Sequence, residues 1–161
     1  MHRISVSLGN IDDAIRQLEE YEKKVQQNIE KILQKLLESG VEIAKAKVIE
    51  LGAVNFGELE NSFDYALYKE DNKGIIFTDC SHACFVEFGT GVRGSNAKHP
   101  SPPVGWTYDS NEHGDAGWWF YNEEQGIGGH TRGWESRPFM YNTATELERK
   151  AVEIAREVFS Q

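Results

Sequence analysis

The sequence has few cysteines and no long hydrophobic run. Two cysteines in 161 residues exclude a scaffold built on several disulfides. No uncharged apolar run approaches the roughly 18 residues that a membrane helix needs, so we expect no membrane partner. The N-terminal sequence MHRISVSLGN has no apolar central region. We therefore expect no secretion signal and a location in the cytoplasm in which the protein is made.

Basic residues are also few in comparison with acidic ones. The chain has 17 Lys and Arg against 26 Asp and Glu, and its formal net charge is −9. A surface of this charge repels the phosphate backbone, so we expect no nucleic-acid partner. Basic residues between positions 93 and 137 are mixed with acidic ones and form no basic patch.

The two cysteines flank a histidine in CSHAC, residues 80–84. Thiolate and imidazole are ligands that suit zinc. A closed zinc site needs four ligands, however, and no second ligand pair follows at a regular distance. We therefore predict that Cys80 and Cys84 are buried thiols that pack as small hydrophobes, with no metal or cofactor bound. A metal site at Cys80, His82 and Cys84 is the alternative.

The first third of the chain shows helical periodicity. Apolar residues recur mostly every three or four positions from Ile11 to Val48, which predicts one amphipathic helix to about residue 51. Ile4, Val6 and Leu8 alternate before it and predict a short edge strand. A straight helix of about 40 residues would be about 60 Å long. It must therefore break, with Gly40 as the candidate kink, or project from the body.

Residues 52–89 predict a sheet core. The segments NFGELENSFDYALYKE and KGIIFTD predict two antiparallel strands joined by a turn at DNK, residues 71–73. We expect SHACFVEFG to form a short helix that begins at Ser81 and buries Ala83, Val86 and Glu87 on one side. Phe85, Val86 and Phe88 are the expected core anchor. Glu87 is expected to be an exposed or hydrogen-bonded carboxylate that pairs with a nearby arginine.

Residues 89–137 differ in composition from the rest of the chain. They hold all four tryptophans and ten of the fifteen glycines. Gly89 and Gly91 allow a sharp turn, and a long glycine-rich segment of this kind is either functional or mobile when alone. VGWTYD and GWWFYN are expected to pair as an exposed hairpin. We expect His99 and His113 in this segment to be solvated.

The chain ends in a third amphipathic pattern. Pro138 suits a first helical turn, and the apolar face of the predicted helix is formed by Met140, Ala144, Leu147, Ala151, Ile154 and Val158. The fold class is therefore α+β, with a long N-terminal and a C-terminal helix on a small, mostly antiparallel sheet. We expect one domain, 1–161, divided into a strand and long helix (1–51), a sheet core (52–89), an extended loop or hairpin (90–137) and a C-terminal helix (138–161).

Several of these elements together resemble one family. The long helix, GELENSF, ACFVEFGTG, the glycine- and tryptophan-rich loop and SRPFMYNTA are similar to the head-to-tail joining proteins of long-tailed bacteriophages and prophages, also called minor tail, neck or tail-completion proteins. The motif residues that carry the resemblance are Glu87, Phe88, Gly89, Gly91, Arg137, Pro138 and Phe139. The loop from Val92 to Glu135 is longer and richer in tryptophan than the usual pattern.

The resemblance implies an assembly role without catalysis. A ring of copies would form in the neck or at the tail end, first in the bacterial host cytoplasm and then in the virion, in contact with other neck or tail proteins. Tryptophan and arginine dominate binding hot spots. The candidate subunit-interface residues are accordingly Arg93, Trp106, Trp118, Trp119, Arg132 and Trp134. We expect the loop to gain structure only against a neighbouring subunit. For each tryptophan, a small satellite core beneath the loop is the alternative.

Two other function classes remain open. A carbohydrate- or cell-wall-binding module would also expose tryptophans among glycines, as GWWFYN does. An enzyme would have to use the histidines at positions 99, 113 and 130 with nearby carboxylates. No HExxH, GxSxG or Walker pattern occurs, and GIGGHTRG is too weak to predict a phosphate loop. We therefore predict that the protein is not an enzyme.

Overall fold

The protein is described here by a computed structural model that covers residues 10–53, 57–109, 111–123 and 126–160. The strand predicted around Ile4 to Leu8 lies outside these residues. The first element is α1, Ile11–Glu50, a single helix of 40 residues. Every residue from Ile11 to Lys24 is exposed, so the first turns of α1 project from the body as predicted. None of the described helices is apolar over a stretch long enough to span a bilayer.

Gly40 is a packing position and not a kink. The helix runs through it without interruption. A Cβ atom at Gly40 would lie 2.1 Å from Ile76 Cδ1 and 2.9 Å from Leu147 Cδ1. The missing side chain thus lets the strand that carries Ile76 and the C-terminal helix approach α1 closely. The alternative of a break at Gly40 is wrong.

A short helix and the predicted hairpin follow α1. Helix α2 is Glu58–Asn61. Strand β1, Phe63–Tyr68, pairs antiparallel with β2, Lys73–Thr78, in a register that places Phe63 opposite Thr78. Asn72 has a φ of 48° in the turn, so the chain reverses within the predicted DNK segment. Tyr65 of β1 accepts a hydrogen bond from Gln34 of α1 at its hydroxyl oxygen, 2.7 Å away.

The second half of the chain contains short elements and one long helix. These are α3 (Ala83–Phe88), α4 (Gly91–Asn96), a 3₁₀ turn (Gly114–Ala116), β3 (Trp118–Asn122), β4 (Ile127–Thr131), β5 (Gly133–Trp134) and α5 (Phe139–Phe159). The short helix predicted from Ser81 therefore begins two residues later. The fold class is α+β, as predicted.

The second hairpin has a different partner from the predicted one. β3 pairs antiparallel with β4, with Trp118 opposite Thr131 and Asn122 opposite Ile127. The prediction that VGWTYD pairs with GWWFYN is wrong, because the chain reverses after Asn122 and the returning IGGHT segment supplies the strand. Residues 90–137 thus contain regular structure within a single chain. The expectation that this segment gains structure only against a neighbour is not supported.

The hydrophobic core lies between α1, α5 and the β1–β2 hairpin. Its centre is formed by Val41, Ala44, Val48, Ala53, Leu59, Phe63, Cys80, Ala83 and Phe139. Phe63 and Phe139 meet edge to face, with ring centroids 5.7 Å apart. Burying a side chain of this size contributes about 1.5–3 kcal/mol. α5 packs mainly along α1 and reaches the sheet through Phe139, which puts the first turn of α5 next to α3.

Candidate functional site

Glu87 is buried beside the first turn of α5. Its side chain is 5% exposed. Oε2 accepts a hydrogen bond from the Met140 N–H at 2.9 Å, and Oε1 accepts one from the Tyr141 N–H at 3.0 Å. N–H groups in a first helical turn have no partner within the helix and carry partial positive charge. Glu87 therefore caps a helix that begins more than 50 residues later.

His99 completes the surroundings of the Glu87 carboxylate. It is 5% exposed, and its Nε2 lies 3.0 Å from Glu87 Oε1. Nδ1 accepts a hydrogen bond from the Ser101 N–H at 2.9 Å, so the neutral ring carries its proton on Nε2 and donates it to Glu87. Phe88 and Tyr141 contact the ring, with centroids 4.8 Å and 5.4 Å away.

These contacts correct two predictions. Glu87 is hydrogen-bonded and lies on the buried side of α3, as expected, but it binds His99 and two backbone amides and not an arginine. His99 was expected to be solvated, and it is buried. The glycine- and proline-rich context conceals this burial, because nothing near His99 in sequence indicates that α3 and α5 enclose it.

The segment before α5 binds the backbone of α3. Ser136 Oγ donates to the Glu87 carbonyl oxygen at 2.6 Å, and the Arg137 N–H donates to the Val86 carbonyl oxygen at 2.9 Å. The Arg137 guanidinium donates to the Gly52 carbonyl oxygen at 2.8 Å and lies 5.6 Å from the ring centre of Trp134. Pro138 occupies the N-cap position of α5, and Phe139 is buried in the core. The structure thus brings together VEFGTG and RPFM, which are far apart in sequence.

Two glycines allow the chain to cross itself beside this junction. Thr90 and Gly91 form isolated antiparallel bridges with Trp134 and Gly133. Gly133 has a φ of +92°, and a Cβ there would lie 1.9 Å from the Thr90 carbonyl oxygen. A Cβ at Gly91, where φ is +60°, would lie 2.5 Å from the Arg132 carbonyl oxygen. The main chains are therefore in direct contact, which explains why VEFG ends abruptly at a glycine-rich turn.

Trp106 and Trp118 belong to packed clusters. Trp106 is half-buried, donates from Nε1 to the Gly89 carbonyl oxygen at 3.2 Å, and lies 5.0 Å from Phe88 between ring centroids. Trp118 is also half-buried and stacks on His113 at 4.9 Å. For these two residues the satellite-core alternative describes the structure better than an exposed anchor. Phe85, an expected core residue, is instead 51% exposed.

The β3–β4 hairpin exposes apolar side chains on both of its faces. We define the hairpin surface as Trp119, Phe120, Tyr121 and Ile127, which are 79%, 41%, 68% and 48% exposed. Trp119 and Tyr121 point to one face of β3 and Phe120 to the other, because side chains alternate along a strand. Within the part of the chain that the structure describes, β3 and β4 pair only with each other. Among these residues, no further strand extends either edge of the hairpin.

Trp134, Arg93 and Arg132 are exposed near the base of this hairpin. Trp134 is 50% exposed, on the strand that crosses Thr90. Arg132 Nε donates to the Asp115 carbonyl oxygen at 3.0 Å. Neither Arg93 nor Arg132 takes part in an ion pair among residues 10–53, 57–109, 111–123 and 126–160.

The cysteines occupy different environments. Cys80 is buried in the core, and this burial raises the pKa of its thiol above the ordinary value. Cys84 is exposed, so the prediction that both thiols are buried is wrong for Cys84. His82 lies beside Cys80, with its Nδ1 3.3 Å from Sγ. The predicted alternative of a metal site that includes Cys84 has no support in this arrangement.

The first half of the chain is similar to a known protein family. Residues 12–89 match a family model described as "Bacteriophage HK97-gp10, putative tail-component". The match covers α1, α2, the β1–β2 hairpin and α3, and it ends at Gly89, before the β3–β4 hairpin and α5. Neither curated proteins nor solved structures gave a match. The predicted resemblance to phage tail proteins is thus confirmed for residues 12–89, which are similar to this bacteriophage tail-component family.

Proposed function

We propose that the protein is a structural subunit of a phage or prophage particle that assembles with copies of itself into a ring at the head-to-tail junction or tail end. It would assemble in the host cytoplasm and remain in the neck or tail of the virion, in contact with other neck or tail proteins. The observation that carries this proposal, beside the family match, is the exposed hairpin surface. We propose no catalytic role.

The hairpin surface has the character of an interface centre. Aromatic residues are enriched in interface cores, and tryptophan and tyrosine are frequent hot spots because they bury large areas with few rotatable bonds. Trp119 and Tyr121 are more than two-thirds exposed in the single chain. An isolated two-stranded hairpin is only marginally stable in water. Contact with a neighbouring subunit would bury the rings and stabilise the strands together.

A second apolar surface lies at the projecting start of α1. Ile11, Ile15, Leu18 and Tyr21 are exposed by 40%, 49%, 67% and 66% and lie three or four positions apart, so they form one stripe on the helix. This stripe and the hairpin surface are different patches of one chain. When one patch of a subunit binds a different patch of the next, the contact is heterologous and generates a ring if the rotation closes.

Charge supports the same arrangement. The exposed Arg93 and Arg132 flank the hairpin on a chain whose net charge is −9. The acidic surface of a neighbouring copy would provide carboxylates, which arginine binds with two parallel hydrogen bonds. Arg93, Arg132 and Trp134 therefore belong to the proposed interface together with the hairpin surface, whereas Trp106 and Trp118 do not.

The test compares two variants of the full chain. Trp119→Ala with Tyr121→Ala removes the most exposed rings of the hairpin, and Tyr68→Ala removes a ring that is 48% exposed on β1. Light scattering over a concentration series should show loss of large oligomers for the double variant alone. Complementation of a phage lacking the gene should likewise fail for that variant alone, with circular dichroism unchanged.

Normal infectious titre with the double variant would contradict the proposed interface. Binding to glycans or cell-wall fragments that depends on Trp119, in a protein that stays monomeric, would favour the carbohydrate-binding alternative. Loss of the helical circular-dichroism signal would show that the rings support the fold, and the interface would then be assigned elsewhere.

A further inference from the structure

Three different metal-ligand side chains converge where the β2–α3 connection passes α2. They are Glu58, the first residue of α2, Cys80, and His82, the residue before α3. One ligand atom from each lies within 4.8 Å of the other two. We propose that Glu58, Cys80 and His82 form a binding site for a zinc ion, with an open fourth position.

Rotation of two side chains would bring the three ligand atoms around one tetrahedral ion. With Zn–S near 2.3 Å and Zn–N and Zn–O near 2.0–2.1 Å, neighbouring ligand atoms around zinc are roughly 3.3–3.8 Å apart. Cys80 Sγ is 3.3 Å from Nδ1 and 3.4 Å from Nε2 of His82, so the sulfur faces the ring, and Nδ1 is 3.9 Å from Glu58 Oε2. The side chains of His82 and Glu58 are 32% and 63% exposed, so the ring can rotate to direct Nδ1 at the ion and the carboxylate can move toward it.

The ligand set favours zinc over magnesium or calcium. A thiolate and an imidazole are ligands for zinc and other late transition metals, whereas magnesium and calcium take oxygen ligands. Binding would deprotonate the Cys80 thiol, form the Zn–S bond and release one proton to the solvent. Three protein ligands leave the fourth tetrahedral position to a water molecule.

Neighbouring hydrogen bonds hold the cysteine in place. The Cys80 N–H donates to Thr78 Oγ1 at 3.2 Å, and the Thr78 hydroxyl is hydrogen-bonded to the hydroxyl of Ser62, the residue that ends α2. The connection that carries Cys80 is thus tied to the same short helix that carries Glu58. Supporting contacts of this kind orient metal ligands and raise affinity.

Cys84 provides a matched control. It lies four residues from Cys80 and its thiol is exposed, but it is not part of the three-ligand set. A variant that removes the Cys84 thiol therefore separates binding at the proposed site from adventitious binding to an accessible cysteine.

The experiment titrates the reduced, metal-free full chain with ZnCl₂ in a calorimeter. We expect one ion per chain for the wild type and for Cys84→Ser, and loss of that binding for Cys80→Ser and His82→Ala. At about 100 times the dissociation constant, zinc should raise the wild-type Tm by about 5–10 °C. Cobalt(II) should give the thiolate charge-transfer and intense visible bands of a tetrahedral site in wild type and Cys84→Ser only.

Two results would overturn the proposal. The first is the absence of any zinc-dependent change in heat or Tm in the wild-type chain. The second is equal zinc affinity in Cys80→Ser and wild type, which would place the ion elsewhere. Glu58→Gln removes the ligand charge at an exposed position without disturbing the core, and it should weaken zinc binding at least tenfold. Unchanged affinity in this variant would contradict the three-ligand site.

Discussion

The two halves of the chain are held together in different ways. From α1 to α3, side chains with regular periodicity pack around Val48, Leu59 and Phe63. From Gly89 to Ser136, two backbone segments contact each other directly at Gly91 and Gly133, and aromatic rings lie beside glycines. The family match covers the first type of structure and stops where the second begins.

The two halves also differ in the exposure of their apolar side chains. Apart from the exposed stripe at the start of α1, the first half buries its apolar residues in a core, whereas the hairpin exposes Trp119 and Tyr121 to the solvent. Glu87 joins the halves, because it lies at the end of the matched region and caps the helix that follows the hairpin. Substitutions in the two halves should therefore have different effects on stability and assembly.

Glu87→Ala should have the largest effect on stability. It leaves the Met140 and Tyr141 amides without their acceptor and removes the side-chain partner of the buried His99. Breaking a buried, hydrogen-bonded charge of this kind costs about 3–5 kcal/mol. Urea unfolding should measure this loss of unfolding free energy. The loss should be smaller for Glu87→Gln, which keeps an acceptor oxygen. Equal stability of Glu87→Ala and wild type would show that α5 does not depend on this cap.

Gly133→Ala should have the next largest effect. The new Cβ would lie 1.9 Å from the Thr90 carbonyl oxygen at a φ of +92°. Backbone strain and overpacking together should cost roughly 2–4 kcal/mol. Gly105→Ala is the matched control, because its φ is +83° but no atom lies within 4 Å of the new Cβ. Thermal unfolding should show a clearly smaller loss of stability for Gly105→Ala than for Gly133→Ala. Equal losses would show that the contact between Gly133 and Thr90 does not cause the destabilisation.

Trp106→Ala and Trp119→Ala should differ in stability, because the first removes a packed ring and the second an exposed one. Trp106 contacts Phe88 and donates a hydrogen bond to Gly89, so its removal should cost about 2–3 kcal/mol. Trp119 is 79% exposed, and its removal should change stability by no more than about 0.5 kcal/mol. Chemical denaturation of the two single variants measures both values. A larger loss of stability in Trp119→Ala than in Trp106→Ala would contradict this assignment.

Asp109→Ala should have the smallest effect, and the effect should depend on pH. The His113 and Gly114 amides donate to the Asp109 carboxylate and lower its pKa below 3.8. A lowered folded-state pKa stabilises the protein above the unfolded pKa, and this stabilisation is lost as the pH falls through the folded value. The unfolding midpoint of the wild type should therefore slightly exceed that of the variant at pH 6, and this gap should narrow as the pH falls through the folded-state pKa of Asp109. A gap that does not change with pH would contradict this role.

The sequence predicts the elements that depend on local periodicity. The stripe from Ile11 to Val48 predicts α1, and alternation around Phe63 and Ile75 predicts the β1–β2 hairpin, because one face of each element is buried on the core. The length of α1 predicts either a break or a projecting end, and the structure has the projecting end.

The sequence does not predict contacts made by the main chain or across long separations. Gly40 indicates a break, but its lack of a side chain serves close packing by Ile76 and Leu147. His99 is enclosed by residues far from it in sequence, and Glu87 meets a helix more than 50 positions away. The pairing of β3 with IGGHT was missed because two of the five residues are glycines, which carry no strand signal.

The crossing at Gly91 and Gly133 brings the two ends of the intervening segment side by side. The cost of closing a loop grows only slowly with its length. Changes of length inside this segment should therefore leave α5 in place, so that the exposed residues of the hairpin can be exchanged without rebuilding the core.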